Sequence, residues 1–301
     1  MTIELPVLTP EDGFRRIKIE IAYDGSNFNG WARQKDDPSY ISKENPSGSI
    51  RTLQEEIEKA LSLLAHDPVQ TIVAGRTDAG VHAIKQVIHA DIPLNSFTDE
   101  PWDISNWEYK LNRILTPEIR VKKVEQAPPY FHARFSALSR SYIYKIADNN
   151  QFISPLERLD VATWYRGLDV AKMNKLAARF IGEFDFVAFC KYRENSSTIR
   201  EIQEFTVSRS KNNLVEVRIT ADAFCYNMVR SLVGALVAVG EGRFEENWAL
   251  EILENKVRPS DSYVFPAQGL TLTNVNYPPD NELLERAKRT IGRRDLEAES
   301  D

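Results

Sequence analysis

One order of periodicities runs along this chain twice, and it restricts the possible folds more than any single motif does. Ile17, Ile19, Ile21 and Tyr23 alternate with Arg16, Lys18, Glu20 and Ala22, the period-two pattern of a strand with one buried face. After a polar stretch, Thr52 and Glu55 make a capping-box pair leading into Leu53, Ile57, Leu61 and Leu64 at helical spacing. Strands are expected next over residues 69–73 and 84–92, a helix over 105–115 and a strand over 119–125. The second half repeats the order, with a long strand over 134–146, a helix over 169–181, strands over 199–208 and 214–220 and a helix over 228–239. One more helix, 244–253, precedes a last strand, 270–275. Two such runs predict an α+β chain of two ferredoxin-like (βαββαβ) halves with largely antiparallel sheets. No short sequence repeat accompanies them, which argues against a solenoid.

The boundaries that follow are an N-terminal extension over 1–13, a first half over 14–130, a second over 131–279 and a charged tail over 280–301. Residues 35–50, KDDPSYISKENPSGSI, read as a long loop, and the polar tail as a mobile terminus. A chain of 301 residues can bury a sizeable core. The two cysteines, Cys190 and Cys225, are too few and too far apart for a zinc pattern or a disulfide framework, so a reducing, cytoplasmic setting is expected. No stretch is long and apolar enough to span a bilayer and the N-terminus lacks a signal-peptide pattern, so no membrane partner is expected. Lys plus Arg 38 against Asp plus Glu 44 gives −6, which argues mildly against a polyanionic partner. That average hides an uneven distribution. Residues 130–147 carry Arg134, Arg140 and Lys145 and no acid, and Lys110, Arg113, Arg120, Lys122 and Lys123 outnumber Glu108 and Glu118. A local basic face is therefore compatible with the acidic whole.

The segment VAGRTDAGVHA, residues 73–83, places Arg76, Asp78 and His82 on a connection that Gly75 and Gly80 make easy to bend. Taken alone, an aspartate between glycines most often caps its own turn. A metal site built from Asp78, His82 and His89 matches no compact ligand spacing, so no metal is expected and His82 reads as a structural hydrogen-bonding residue. No second acid sits in an equally unusual setting, which weighs against a glycosidase-like pair. In RSYIYK, Tyr142 and Tyr144 share one strand face between Arg140 and Lys145. Core packing is the usual meaning of such tyrosines, and a stacking platform for an unstacked base is the alternative. The stretch FCYNMVRSLVGALVAVG is apolar for nearly its whole length, with Arg230 in its middle. A guanidinium there needs a carboxylate or several other acceptors.

The motifs YDGSNFNGWARQ, AGRTDAGVHA, FHARFSALSRSYIYKI, NMVRSLVGALVAVG and AQGLTLTNVNYP follow one another over residues 15–279. In that order the chain closely resembles the bacterial TruA-type tRNA pseudouridine synthases, for which GRTDAGVH is highly specific. The resemblance implies two ferredoxin-like halves with a central RNA-binding cleft, a homodimer, tRNA as partner and no metal or organic cofactor. It also implies isomerisation of uridine to pseudouridine in the anticodon stem-loop. Carried over by motif, Asp78 is the catalytic aspartate, Tyr142 the tyrosine packed against the target uracil and Arg230 the arginine that pairs with the aspartate. Arg76 becomes a candidate for holding the displaced backbone. Uracil must leave its stack at a cost of a few kcal/mol, least in a loop, and the glycines would let one carboxylate approach it. Whether that carboxylate adds to the ring, attacks the sugar carbon or removes a sugar proton stays open. Two departures stand out: loop 35–50 is longer than in compact bacterial members, and CYNMVR replaces paired histidines that some members carry. A noncatalytic RNA-binding or chaperone protein of the same fold is the competing reading, and a metal-dependent hydrolase a third, for which the chain hardly supplies ligands.

Overall fold

The alternating residues Ile17, Ile19, Ile21 and Tyr23 are all buried in β1 (Phe14–Tyr23), the central strand of the first unit. The structure is a computed structural model and describes residues 8–35, 37–40, 48–94, 104–191, 193, 197–258 and 263–298. The chain divides into two units, Met1–Leu138 with Val275–Gly292, and Ser139–Asn274 with Arg293–Asp301. Its elements are mixed α and β, and the strand pairing is mostly antiparallel.

The first unit contains β1, α1 (Leu53–Ala65), β2 (Thr71–Val73), β3 (His82–Pro93), α2 (Trp107–Ile114) and β4 (Ile119–Gln126). Its strands lie in the order β4-β1-β3, with β2 on β3, and every pairing is antiparallel. Thr52 caps α1 by accepting the Glu55 N–H at 3.4 Å, as the capping pattern predicts. Leu53, Ile57 and Leu61 turn inward from that helix. Arg16, also buried, meets Asp91 through two bonds of 2.7 and 2.8 Å and donates further to the carbonyls of Phe131 and Leu8. The charge is thus compensated in the manner burial requires.

The second unit contains β5 (Ser139–Ala147), β6 (Ala162–Thr163), α3 (Val170–Ala178), β7 (Gly182–Asp185), β8 (Ile199–Arg209), β9 (Val215–Ala221), α4 (Met228–Gly240) and α5 (Glu246–Asn255). Its strands run β5-β9-β8-β7, all antiparallel, and β6 joins β5 in parallel. The division between the units falls within β10 (Leu270–Asn276). Every residue of α4 is buried except Arg230.

Two expectations are corrected and two short strands are added. The strand expected from residue 134 begins at Ser139, because His132 Nδ1 accepts the N–H groups of Arg134 and Phe135 at 3.2 and 3.1 Å and curls this stretch into a turn. The tail expected to be a mobile terminus instead contains α6 (Leu283–Ala298), with Leu283, Ala287 and Ile291 buried. Arg286 ties this helix to the Ala137 carbonyl at 3.0 Å. Strands β6 and β7, two and four residues long, were not expected at all. Of the loop expected over 35–50, Pro38–Tyr40 forms a single 3-10 turn, whereas residues 36 and 41–47 lie outside the described residues.

Candidate active site

The connection 74–81 joins β2 to β3, so both of its ends are anchored in one antiparallel pair. Along it Arg76 is exposed, Thr77 buried, Asp78 half-buried and Ala79 exposed. Thr77 thus points beneath the loop. There the Thr77 hydroxyl shares a hydrogen bond of 2.9 Å with the Tyr23 hydroxyl. The buried Gln86 amide donates both to that tyrosine oxygen, at 3.2 Å, and to the Gly75 carbonyl, at 2.8 Å. Burial, opposed only in part by these two partners, pushes the Tyr23 phenol up to about 12, so it remains a neutral group near neutral pH.

The YDGSNFNGW segment braces the same loop from another side. Trp31 N–H donates to the Thr77 carbonyl at 3.0 Å and Gly80 N–H to the Phe28 carbonyl at 3.3 Å. Gly25 comes so close that a Cβ there would sit 2.0 Å from the Val81 carbonyl oxygen. At Gly30 the backbone has φ +90°, and a Cβ would lie 3.0 Å from the Thr77 oxygen. Only glycine satisfies both the space at 25 and the backbone at 30. Val81 N–H returns to the Asp78 carbonyl at 3.2 Å and closes the turn. The Asp78 backbone is thereby held in one geometry while the residue stays only partly buried, the kind of preorganisation that a reacting carboxylate needs. Tyr23, Thr77 and Gln86 were not singled out from the sequence. Gln86 carried the available signal, because a glutamine amid Val87, Ile88 and Ala90 in a buried strand must find partners.

The histidines near this loop serve the backbone. His82 Nδ1 accepts the Gly25 N–H at 3.1 Å, and His89 Nδ1 accepts the Ala133 N–H at 3.0 Å. Burial, with Arg16 and His132 close by, holds the His89 pKa well below its usual value, so it stays neutral.

In the second unit, Tyr142 and Tyr144 of β5 are both buried but have different neighbours. Tyr144 is 1% exposed, donates its hydroxyl to the Pro266 carbonyl and packs where a Cβ on Gly269 would come within 2.6 Å of its ring. It is a core residue. Tyr142 sits opposite Ile219 and meets Phe224 edge-on, ring centroids 5.2 Å apart. Arg230 projects from the otherwise buried α4, donating from Nε to the Phe265 carbonyl at 2.7 Å and from Nη1 to Asn227 Oδ1 at 3.4 Å. The segment 222–227 therefore touches both functional candidates of this unit, Tyr142 through Phe224 and Arg230 through Asn227.

Two expectations about charge and sulfur change here. Much of the local basic excess is answered: Lys145 pairs with Asp160, Lys122 with Glu20 and Lys123 with Glu125, while Arg140 is buried against the Asp222 carbonyl. A cleft of about 340 Å³ within the first unit likewise mixes Lys18, Lys85 and Lys123 with Glu20 and Glu125. The cysteines judged too far apart for a disulfide framework are in fact bonded, Cys190 to Cys225, with their Cα atoms 5.7 Å apart. Thirty-five residues of separation along the chain set no limit once β8 and β9 fold back as a hairpin.

Residues 176–278 match the family model described as tRNA pseudouridine synthase. The chain is 44% identical over 280 residues to tRNA pseudouridine synthase A of Frankia casuarinae, covering 93% of this chain and 95% of that protein. It is 41% identical over 294 residues to tRNA pseudouridine synthase A of Streptomyces avermitilis, covering 96% and 97%. The protein of the same name from Cutibacterium acnes is 42% identical over 283 residues, covering 93% and 95%.

Proposed function

Since the chain belongs to the tRNA pseudouridine synthase A family, a family of isomerases acting on uridine in tRNA, we propose that Asp78 is its single catalytic carboxylate and that its target uridines lie in the anticodon stem-loop. The observation that carries this reading is the loop of Asp78: three buried side chains and two close glycines fix its backbone, yet Asp78 itself is only partly buried. Such construction is wasted on an ordinary turn cap. Pseudouridine formation breaks the bond from uracil N1 to the sugar, turns the base and joins C5 to the same sugar carbon, and the C5 hydrogen is lost. A carboxylate fixed against a flipped nucleotide supplies the nucleophile or base that this rearrangement needs.

Tyr142 packs against the extruded uracil, Arg230 answers the charge of Asp78, and Arg76, exposed two residues before it, holds the displaced backbone. The resemblance in the motifs supports these three roles. The strand order β4-β1-β3-β2 of the first unit supports the reading of its elements as a ferredoxin-like half, and the second unit is read the same way. In this reading the enzyme works as a cytoplasmic homodimer without metal or organic cofactor. Incubation with tRNA carrying tritium at uracil C5 tests the proposal. Release is expected from the whole tRNA and from an isolated anticodon stem-loop whose uridines alone are labelled. Release from tRNA labelled only outside that stem-loop, with none from the stem-loop, would overturn the assignment of the target.

A further inference from the structure

The bond between Cys190 and Cys225 lies where the second unit presents its functional side chains. Cys190 is buried and ends the turn Val187–Phe189, which Phe180 and Phe186 clamp through ring contacts with Phe189. Cys225 is half-buried and lies in the segment leading into α4, its carbonyl accepting the Met228 N–H at 3.1 Å. One side of the bridge is thus anchored in the core, and the other belongs to the segment that carries Phe224 and Asn227. Beside the bridge, the Lys191 N–H donates to the Tyr226 carbonyl at 2.9 Å and the Lys191 ammonium lies over the Tyr226 ring. The Cα separation of 5.7 Å suits a disulfide with no movement of the backbone.

We propose that Cys190 and Cys225 form a reversible thiol–disulfide modification site, which takes a small hydroperoxide as oxidant and sets the order of the segment 224–227. Disulfides in reducing compartments are mostly transient and redox-sensing, and the positions of these two sulfurs suit that use. The more accessible Cys225 thiol attacks the peroxide, becoming a sulfenic acid as the alcohol or water leaves. The Cys190 thiol then displaces water from it and closes the disulfide. A dithiol reductant reverses the reaction and is itself left as a disulfide. The oxidised form pins Phe224 beside Tyr142 and Asn227 beside Arg230. The reduced form keeps the fold, because the Phe180, Phe186 and Phe189 cluster does not depend on the bridge and Asp222 stays held by Arg140 and Glu201, but frees residues 224–227 to move. The link to turnover rests on the function proposed for Tyr142 and Arg230; the link to order does not.

The test takes the full chain, reduced with a dithiol and desalted, then treated with hydrogen peroxide. Its intact mass should fall by two hydrogens, a peptide joining residues 190 and 225 should be recovered, and amide exchange over 224–230 should slow. Cys190→Ala and Cys225→Ser should each show neither the mass loss nor the slowed exchange. With tRNA present, tritium release should be several-fold faster in the oxidised wild type than in the reduced. Thiols that stay open to alkylation after peroxide, a link formed between chains, or identical exchange in the two states would overturn the site. Equal tritium release in both states, despite a closed bridge, would overturn its effect on turnover. Absence of tritium release from both states would instead count against the proposed function, since mass and exchange are read without RNA.

Discussion

Gln86→Leu keeps the bulk beneath the Asp78 loop but removes the amide that serves both Tyr23 and Gly75. Leaving a buried carbonyl and hydroxyl with fewer partners costs about 1–3 kcal/mol, so thermal unfolding should shift down. Turnover should fall more than tRNA affinity, because the loop and not the RNA surface is disturbed. An unchanged kcat with raised KM would show that the network does not position Asp78. Glu118 acts on the same brace from its far side: it accepts from Asn27 at 2.8 Å and from Arg51 at 2.8 Å, and Arg51 lies over the Phe28 ring. The Arg51 hydrogen bond, then that of Asn27, lowers the Glu118 pKa from 4.5 to about 2. A carboxyl depressed on folding contributes stability that is complete above its unfolded pKa and lost as pH falls through the folded one. Glu118→Gln should therefore lower the melting temperature near pH 6, and the gap from wild type should close between pH 4.5 and 2; a gap that persists at the acid end would contradict the pairing. At this scale the sequence marked the loop of Asp78, because Gly75 and Gly80 flank a polar cluster, while the catalytic role proposed for Asp78 came from the motif resemblance. It did not disclose Thr77 or Tyr23, whose roles depend on a strand-to-loop contact across 54 residues of chain.

Among the elements, α4 combines two opposed effects at Gly234. Alanine there would improve helix propensity by about 1 kcal/mol. Its Cβ would fall 1.9 Å from the Tyr263 carbonyl oxygen, a backbone atom that cannot rotate away, and overpacking of this kind costs about 1–3 kcal/mol. The overlap is severe enough to win, so Gly234→Ala should melt at a lower temperature, and a rise in melting temperature would contradict the close approach. The periodicity of α1 and β1 made these elements legible, since their buried faces repeat every turn or every second residue, and the nearly unbroken apolar run marked α4 as a buried helix. α6 was missed because its charge suggested a tail, although Leu283, Ala287 and Ile291 keep a helical spacing. The turn at 131–136 was hidden for a different reason: the apolar and aromatic residues of FHARFSA suit a strand, and the two bonds to His132 Nδ1 that bend the chain leave no periodic trace.

At the scale of the whole molecule, the roles proposed for Arg230 and Tyr142 can each be tested apart from that of Asp78. Arg230→Lys keeps the charge but loses the planar fork that grips a carboxylate with two hydrogen bonds. It should fold and bind tRNA while isomerising far more slowly. If Arg230 answers the charge of Asp78, the unfolding free energies of Asp78→Asn and Arg230→Ala should be coupled in a double-mutant cycle, and strict additivity would remove that role. Tyr142→Phe should hold the target RNA and Tyr142→Leu should lose affinity, since stacking needs the ring; equal binding by the two would exclude it. The most direct measurement is tritium release from C5-labelled tRNA by the wild type and by Asp78→Asn, alongside their tRNA affinities and melting temperatures. The amide keeps the size of the side chain and removes its nucleophilic or basic charge. Release by Asp78→Asn should be abolished while affinity and melting temperature stay close to wild type; substantial release by this variant would contradict the catalytic role of Asp78.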